Sequence, residues 1–127
     1  MGFFKIKLRP SDRLWTKYIR IRDNFTCQKC GRQYAEDNCR NLGVSHYYGR
    51  GNENTRFDDD NCIALCTLPC HQRWGEQDRA EYTEFMKQRL GEDGFRNLEI
   101  KKNIRKDRDD KADRLYLKQL LEGVKKI

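Results

Sequence analysis

The 127-residue chain has little proline, histidine, tryptophan or methionine, two of each, and no long apolar run. No stretch approaches the roughly 18 apolar residues of a helical membrane span, so none is expected. Met1 to Pro10 has no long apolar block and no small-residue cleavage site, so secretion is not expected and a cytoplasmic location is. Hydrophobic residues make up 36% of the chain and charged residues 37%. That balance supports one small core, and the length suits one domain spanning 1–127.

Charge and cysteine are what the chain has in excess. The net charge is +7, which points to an anionic partner. Residues 1–26 hold seven Lys/Arg and two acids, residues 27–97 ten and twelve, and residues 98–127 ten and six. A mildly acidic centre suits bound cations, and basic flanks suit phosphate contacts or simple solvation. Six cysteines in so polar a chain imply a staple, because small domains with thin cores need one. Without export, a metal is expected rather than disulfides.

The periodicities predict an α+β fold. Phe4, Ile6 and Leu8 alternate with basic residues in a short arm (1–10) closed by Pro10. A helix capped by Ser11 or Asp12 carries Leu14, Trp15, Tyr18, Ile19 and Ile21 on one face and ends near Asp23-Asn24. Val44 to Tyr48 is a short strand, followed by a Gly/Asn-rich loop and a polar turn through Asp58-Asp59-Asp60. Tyr82, Phe85, Met86 and Leu90 give a helix over 78–90 that Gly91 stops. Residues 11–90 form the expected core. Residues 91–127 form a basic C-terminal extension, helical near Leu115, Leu117, Leu120 and Leu121.

Two close cysteine pairs, Cys27/Cys30 and Cys66/Cys70, have the spacing of thiolates that converge on one tetrahedral zinc. Gly31 lets the first knuckle turn. Such a site is closed and therefore structural. Cys39 and Cys62 are left over, as buried thiols or as a replacement for one member of the set.

Both histidines, His46 and His71, lie in or beside the segment this clasp would tie, with Asn61 between them. Val44-Ser45-His46, Asp60 to Cys66 and Pro69-Cys70-His71-Gln72 together resemble the HNH endonuclease family over roughly residues 13–90. Ser45 to Gly51 with Thr55 to Asp58 and Asp60-Asn61 is similar to phage NinG-type recombination nucleases. The resemblance implies a ββα-metal core, with His46 ending the first strand, Asn61 after the second and His71 on the helix. It implies a phage-encoded, Mg²⁺- or other divalent-ion-dependent hydrolase that cleaves DNA and leaves 5′-phosphate and 3′-hydroxyl ends, in recombination for the NinG type. A dimer would suit double-strand cleavage.

Phosphodiester hydrolysis needs a group to take a proton from water and positive charge beside the phosphoryl oxygens. His46 suits the first task. His71 suits binding the divalent ion. Asn61 would either tie the loop so that His46 is aimed, or ligate the ion itself. Many family members carry Asp or His as a metal ligand where this chain has Ser45, so Asp60 or Glu76 would have to help. Many NinG-type members lack a histidine where this chain has His71. Arg50, Arg56 and Arg73 are close enough in sequence to grip phosphates, or serve solubility. The rival readings are a non-catalytic zinc-stapled nucleic-acid-binding module and an adaptor that works through the C-terminal helix.

Overall fold

Helix α1 (Pro10–Arg22) starts one residue before the expected cap. Pro10 takes a position where its missing N–H costs nothing. The Asp12 carboxylate accepts the Arg9 amide at 2.7 Å, closing the first turn. Asn24 and Phe25, both at positive φ, turn the chain out of the helix towards Cys27. In the computed structural model, residues 8–104 and 106–125 are described. Of the expected arm, Phe4 and Ile6 fall outside that range, and Leu8 is exposed.

The sheet has two antiparallel strands, β1 (Leu42–His46) and β2 (Cys62–Cys66). Leu42 pairs with Cys66, Val44 with Ala64 and His46 with Cys62. Every residue of β2 is buried, because the sheet is covered on both faces. Asn61 therefore precedes β2, which corrects the expectation that it follows the second strand.

After β2 the chain makes two wide π-type turns, Thr67–His71 and Arg73–Gln77. Leu68 is extended (φ −137°, ψ 137°), so no regular helix runs through this segment. His71 lies in the last turn of the first π-helical stretch, after the extended Leu68 and ahead of the next helix, so the helix that carries it is short and wide.

Helix α2 (Arg79–Asn103) is capped by Asp78, whose carboxylate accepts the Glu81 amide at 3.0 Å. It breaks where the sequence places the stop: Gly91 has φ +74° and ψ 168°. It then resumes over 92–103. The second arm holds the 52–60 loop, through the Lys102 carbonyl to the Asn54 amide (2.9 Å) and the Lys101 ammonium to Asp58 (3.1 Å).

Helix α3 (Asp110–Lys125) packs along α1, while α1 also touches both strands. Trp15, Ile19, Leu42, Ile63, Leu65, Met86, Leu98 and Leu117 are the fully buried apolar side chains at the centre. Leu117 and Leu121 make the last helix part of this core. The fold is thus α+β, with a two-stranded sheet among helices. Among the described residues, no helix is long and apolar enough to cross a membrane.

Candidate metal centre and histidine site

Cys27 and Cys30 lie on a turn that Gly31 completes at φ +78°. Cys66 ends β2, and Cys70 lies in the first wide turn. Their four sulfurs all fall within 4.8 Å of one another, and Cys30 and Cys66 are 3.6 Å apart. A tetrahedron of sulfurs around zinc at about 2.3 Å has edges of about 3.8 Å, so the set fits a metal such as zinc. The Cys30 amide points at the Cys27 sulfur (3.5 Å), and the Tyr34 hydroxyl donates to the Cys66 sulfur at 3.0 Å. Such donors steady thiolate ligands.

The acidities fit the same reading. Burial opposes ionisation of Cys27, but amides of Cys30, Cys66 and Lys29 outweigh it and bring the thiol to about 7. Burial, then the neighbouring Cys27 and Cys30 sulfurs, push Cys70 up to about 12. Four crowded sulfurs resist sharing negative charge, and a bound dication removes that conflict.

The two spare cysteines fall outside the cluster. Cys62 is fully buried at the start of β2, and burial pushes its thiol up to about 12. Cys39 is half-buried near the surface, its thiol 3.4 Å from the Glu36 carbonyl. Among the described residues, the tetrathiolate set is the only group of three or more Cys, His, Asp or Glu side chains placed to share an ion.

His46 ends β1 and is half-buried. Its Nε2 lies 3.0 Å from the Arg56 carbonyl oxygen. A carbonyl can only accept, so Nε2 carries the proton and Nδ1 keeps a lone pair. Burial, then the charge of Arg50, lower the imidazole to about 3, which keeps it neutral.

Asn61 is 0% exposed and its amide is fully engaged. Oδ1 accepts the Tyr48 amide at 2.8 Å; Nδ2 donates to the carbonyls of Tyr48 and Thr55, both at 3.0 Å. It fastens both ends of the 47–61 loop. This corrects its expected alternative role as an ion ligand, because no lone pair faces an open site.

Arg56 is corrected in the same way. It is 2% exposed and makes a two-pronged pair with Asp12 (3.0 and 2.6 Å), so it cannot reach a phosphate. Ser45 points to the opposite face of β1 from His46 and shares a 2.8 Å hydrogen bond with the buried Tyr82 hydroxyl. The Ser45 hydroxyl is thereby engaged in the core and offers no ion ligand.

Arg50 also faces Asp12, its Nε 3.7 Å from the carboxylate. Its side chain is 27% exposed, and its charge lies near enough to lower the pKa of both histidines, after burial. The structure thus brings Arg50 into electrostatic reach of His46 and His71 together. The His71 ring makes no hydrogen bond to a described residue, and the Arg50 charge acts on it more strongly than that of Glu76. Arg73 is exposed two residues further on. The Asp58–Asp60 turn is structural: Asp59 accepts the Tyr18 hydroxyl (2.8 Å) and Asp58 the Asp60 amide (2.9 Å).

No family model, no curated protein and no solved structure matches the chain.

The sequence reading missed Asp12 and Tyr34. Asp12 lies 44 residues from Arg56, and no local pattern joins them. Tyr34 had a faint signal, an aromatic hydroxyl four residues beyond the first knuckle.

Proposed function

We propose that the chain is a divalent-metal-dependent endonuclease of the HNH type, hydrolysing DNA phosphodiester bonds around a core clasped by zinc at Cys27, Cys30, Cys66 and Cys70. The observation that carries the reading is the His46 ring: Nε2–H is given to the Arg56 carbonyl and Nδ1 keeps an unprotonated lone pair, at a strand end within reach of the Arg50 charge. In this reading Nδ1 of His46 takes the proton from the attacking water. Arg50 and Arg73 hold the phosphate oxygens, and Asn61 keeps the loop and strand in register. His71, with Glu76 and water, would hold the divalent ion, which when bound supplies positive charge beside the phosphoryl and leaving oxygens.

One observation favours the rival, a zinc-stapled nucleic-acid-binding module without catalysis. Ser45 is tied to Tyr82, and His71 belongs to no group of three or more metal-ligating side chains among the described residues.

A plasmid-nicking assay with Mg²⁺ or Mn²⁺ separates the two. The wild type is expected to nick supercoiled DNA. His46→Ala is expected to lose about 10²- to 10⁴-fold in rate while keeping its zinc and its fold. Salt-sensitive DNA binding with no cleavage in any divalent ion would leave the binding module standing.

A further inference from the structure

We propose that Arg56 is a positioning residue for His46, and that Asp12 on α1 is the anchor that makes it one. The inference rests on the reading of His46 as the general base.

The Asp12 carboxylate takes Nε and Nη2 of Arg56 at 3.0 and 2.6 Å, with both side chains almost wholly buried. The third arm of the same guanidinium, Nη1, donates to the Arg50 carbonyl at 2.9 Å. The Arg56 carbonyl accepts Nε2–H of His46. The next peptide along is held too, since Asn61 takes the Thr55 carbonyl. Arg56 thus fixes three things at once: its place on α1, the backbone of Arg50, and the imidazole tautomer.

A buried ion pair is a poor stabiliser, because desolvation consumes most of its attraction and apolar packing serves as well. What it does supply is direction. A forked guanidinium meeting a carboxylate allows one orientation, and a carbonyl attached to it is aimed accordingly. The carbonyl must face Nε2 for Nδ1 to be the free base. If it swings away, the ring can take the other tautomer, and the lone pair then sits on the wrong nitrogen.

The test uses the full zinc-loaded chain, ¹⁵N-labelled, as wild type, Arg56→Lys and Asp12→Asn. Lysine keeps the charge and loses the fork; asparagine keeps the shape and loses an acceptor. Long-range ¹⁵N–¹H spectra of the imidazoles report the tautomer, and with two histidines a His46→Gln spectrum assigns them. The wild type is expected to show His46 only as Nε2–H, and each variant a mixture. The nicking rate at saturating DNA is expected to fall by about 10²-fold with the DNA concentration for half-maximal rate within about threefold.

A wild type with its proton on Nδ1 overturns the proposal. So does a folded variant that keeps a pure Nε2–H ring. Unfolding of both variants would make the pair merely structural and overturn it as well. A wild type that cuts no DNA removes the nuclease reading instead, and the imidazole spectra still decide the positioning.

Discussion

Replacing Cys66 by serine removes the sulfur that joins the end of β2 to the first knuckle. Cys30 and Cys66 are 36 residues apart and their sulfurs are 3.6 Å apart, so the clasp closes the segment that carries His46 and Asn61. Closing a loop of that length restricts the unfolded chain by about 4 kcal/mol on the chain-entropy relation used for disulfides. A domain of this size has about 5–15 kcal/mol in total, so the clasp supplies a large share. Urea unfolding of Cys66→Ser should show a midpoint lower by roughly 2 M, for a slope of about 2 kcal/mol per molar. Zinc released to a chromophoric chelator should drop from one ion per chain to a small fraction. Cys39→Ser, a half-buried thiol outside the cluster with the Glu36 carbonyl at 3.4 Å, is the control and should keep the wild-type zinc content. A Cys66→Ser chain with one tightly held zinc and a midpoint unchanged would refute the tetrathiolate clasp.

Cys62→Ser should destabilise without loss of zinc, by about 1–3 kcal/mol, because a hydroxyl replaces a thiol that no water reaches; urea midpoints with zinc analysis check it. Asn61→Ala leaves the Tyr48 amide and the carbonyls of Tyr48 and Thr55 without partners, and should cost about 2–4 kcal/mol, with faster amide exchange across residues 47–61. Acid should weaken the fold through His46. Its pKa lies near 3 when folded, below the ordinary 6.5, so the unfolded chain binds a proton the folded one does not between those values. The stabilisation is complete above about pH 6.5 and is lost as pH falls, at a slope approaching about 1.4 kcal/mol per pH unit. Protonation of zinc thiolates slopes the same way, so the difference between wild type and His46→Gln isolates the imidazole. Parallel stability curves for the two chains would contradict the half-buried neutral ring.

The parts of the fold that could be read from sequence are those whose causes are local. Cys27-x-x-Cys30-Gly31 announces a turn and two ligands within five residues. The α1 and α2 periodicities show in single windows, and Gly91 marks its own break. β2 hid because Cys62 to Cys66 is buried on both faces, which removes the alternation that betrays a strand. Arg50 and Arg56 are six residues apart and of one type, and nothing local distinguishes a partly exposed arginine from a sealed one. Both reach Asp12, far off in sequence, but only Arg56 takes both of its oxygens, at 3.0 and 2.6 Å, while Arg50 stops at 3.7 Å. His71 does fall in a helical turn, but the extended Leu68 and the π-type width of the turns are not written in the local sequence.

The pairing of α1 with α3 has a consequence for synthesis. The two helices begin at residues 10 and 110. A ribosome adding about 5–20 residues per second takes roughly 5–20 s to make the stretch between them. Until then the face of the first helix that α3 covers lacks its partner, although the strands can already pack on the helix. A nascent chain halted before residue 110 would therefore be a client for holding chaperones, and release from them would wait on the last helix.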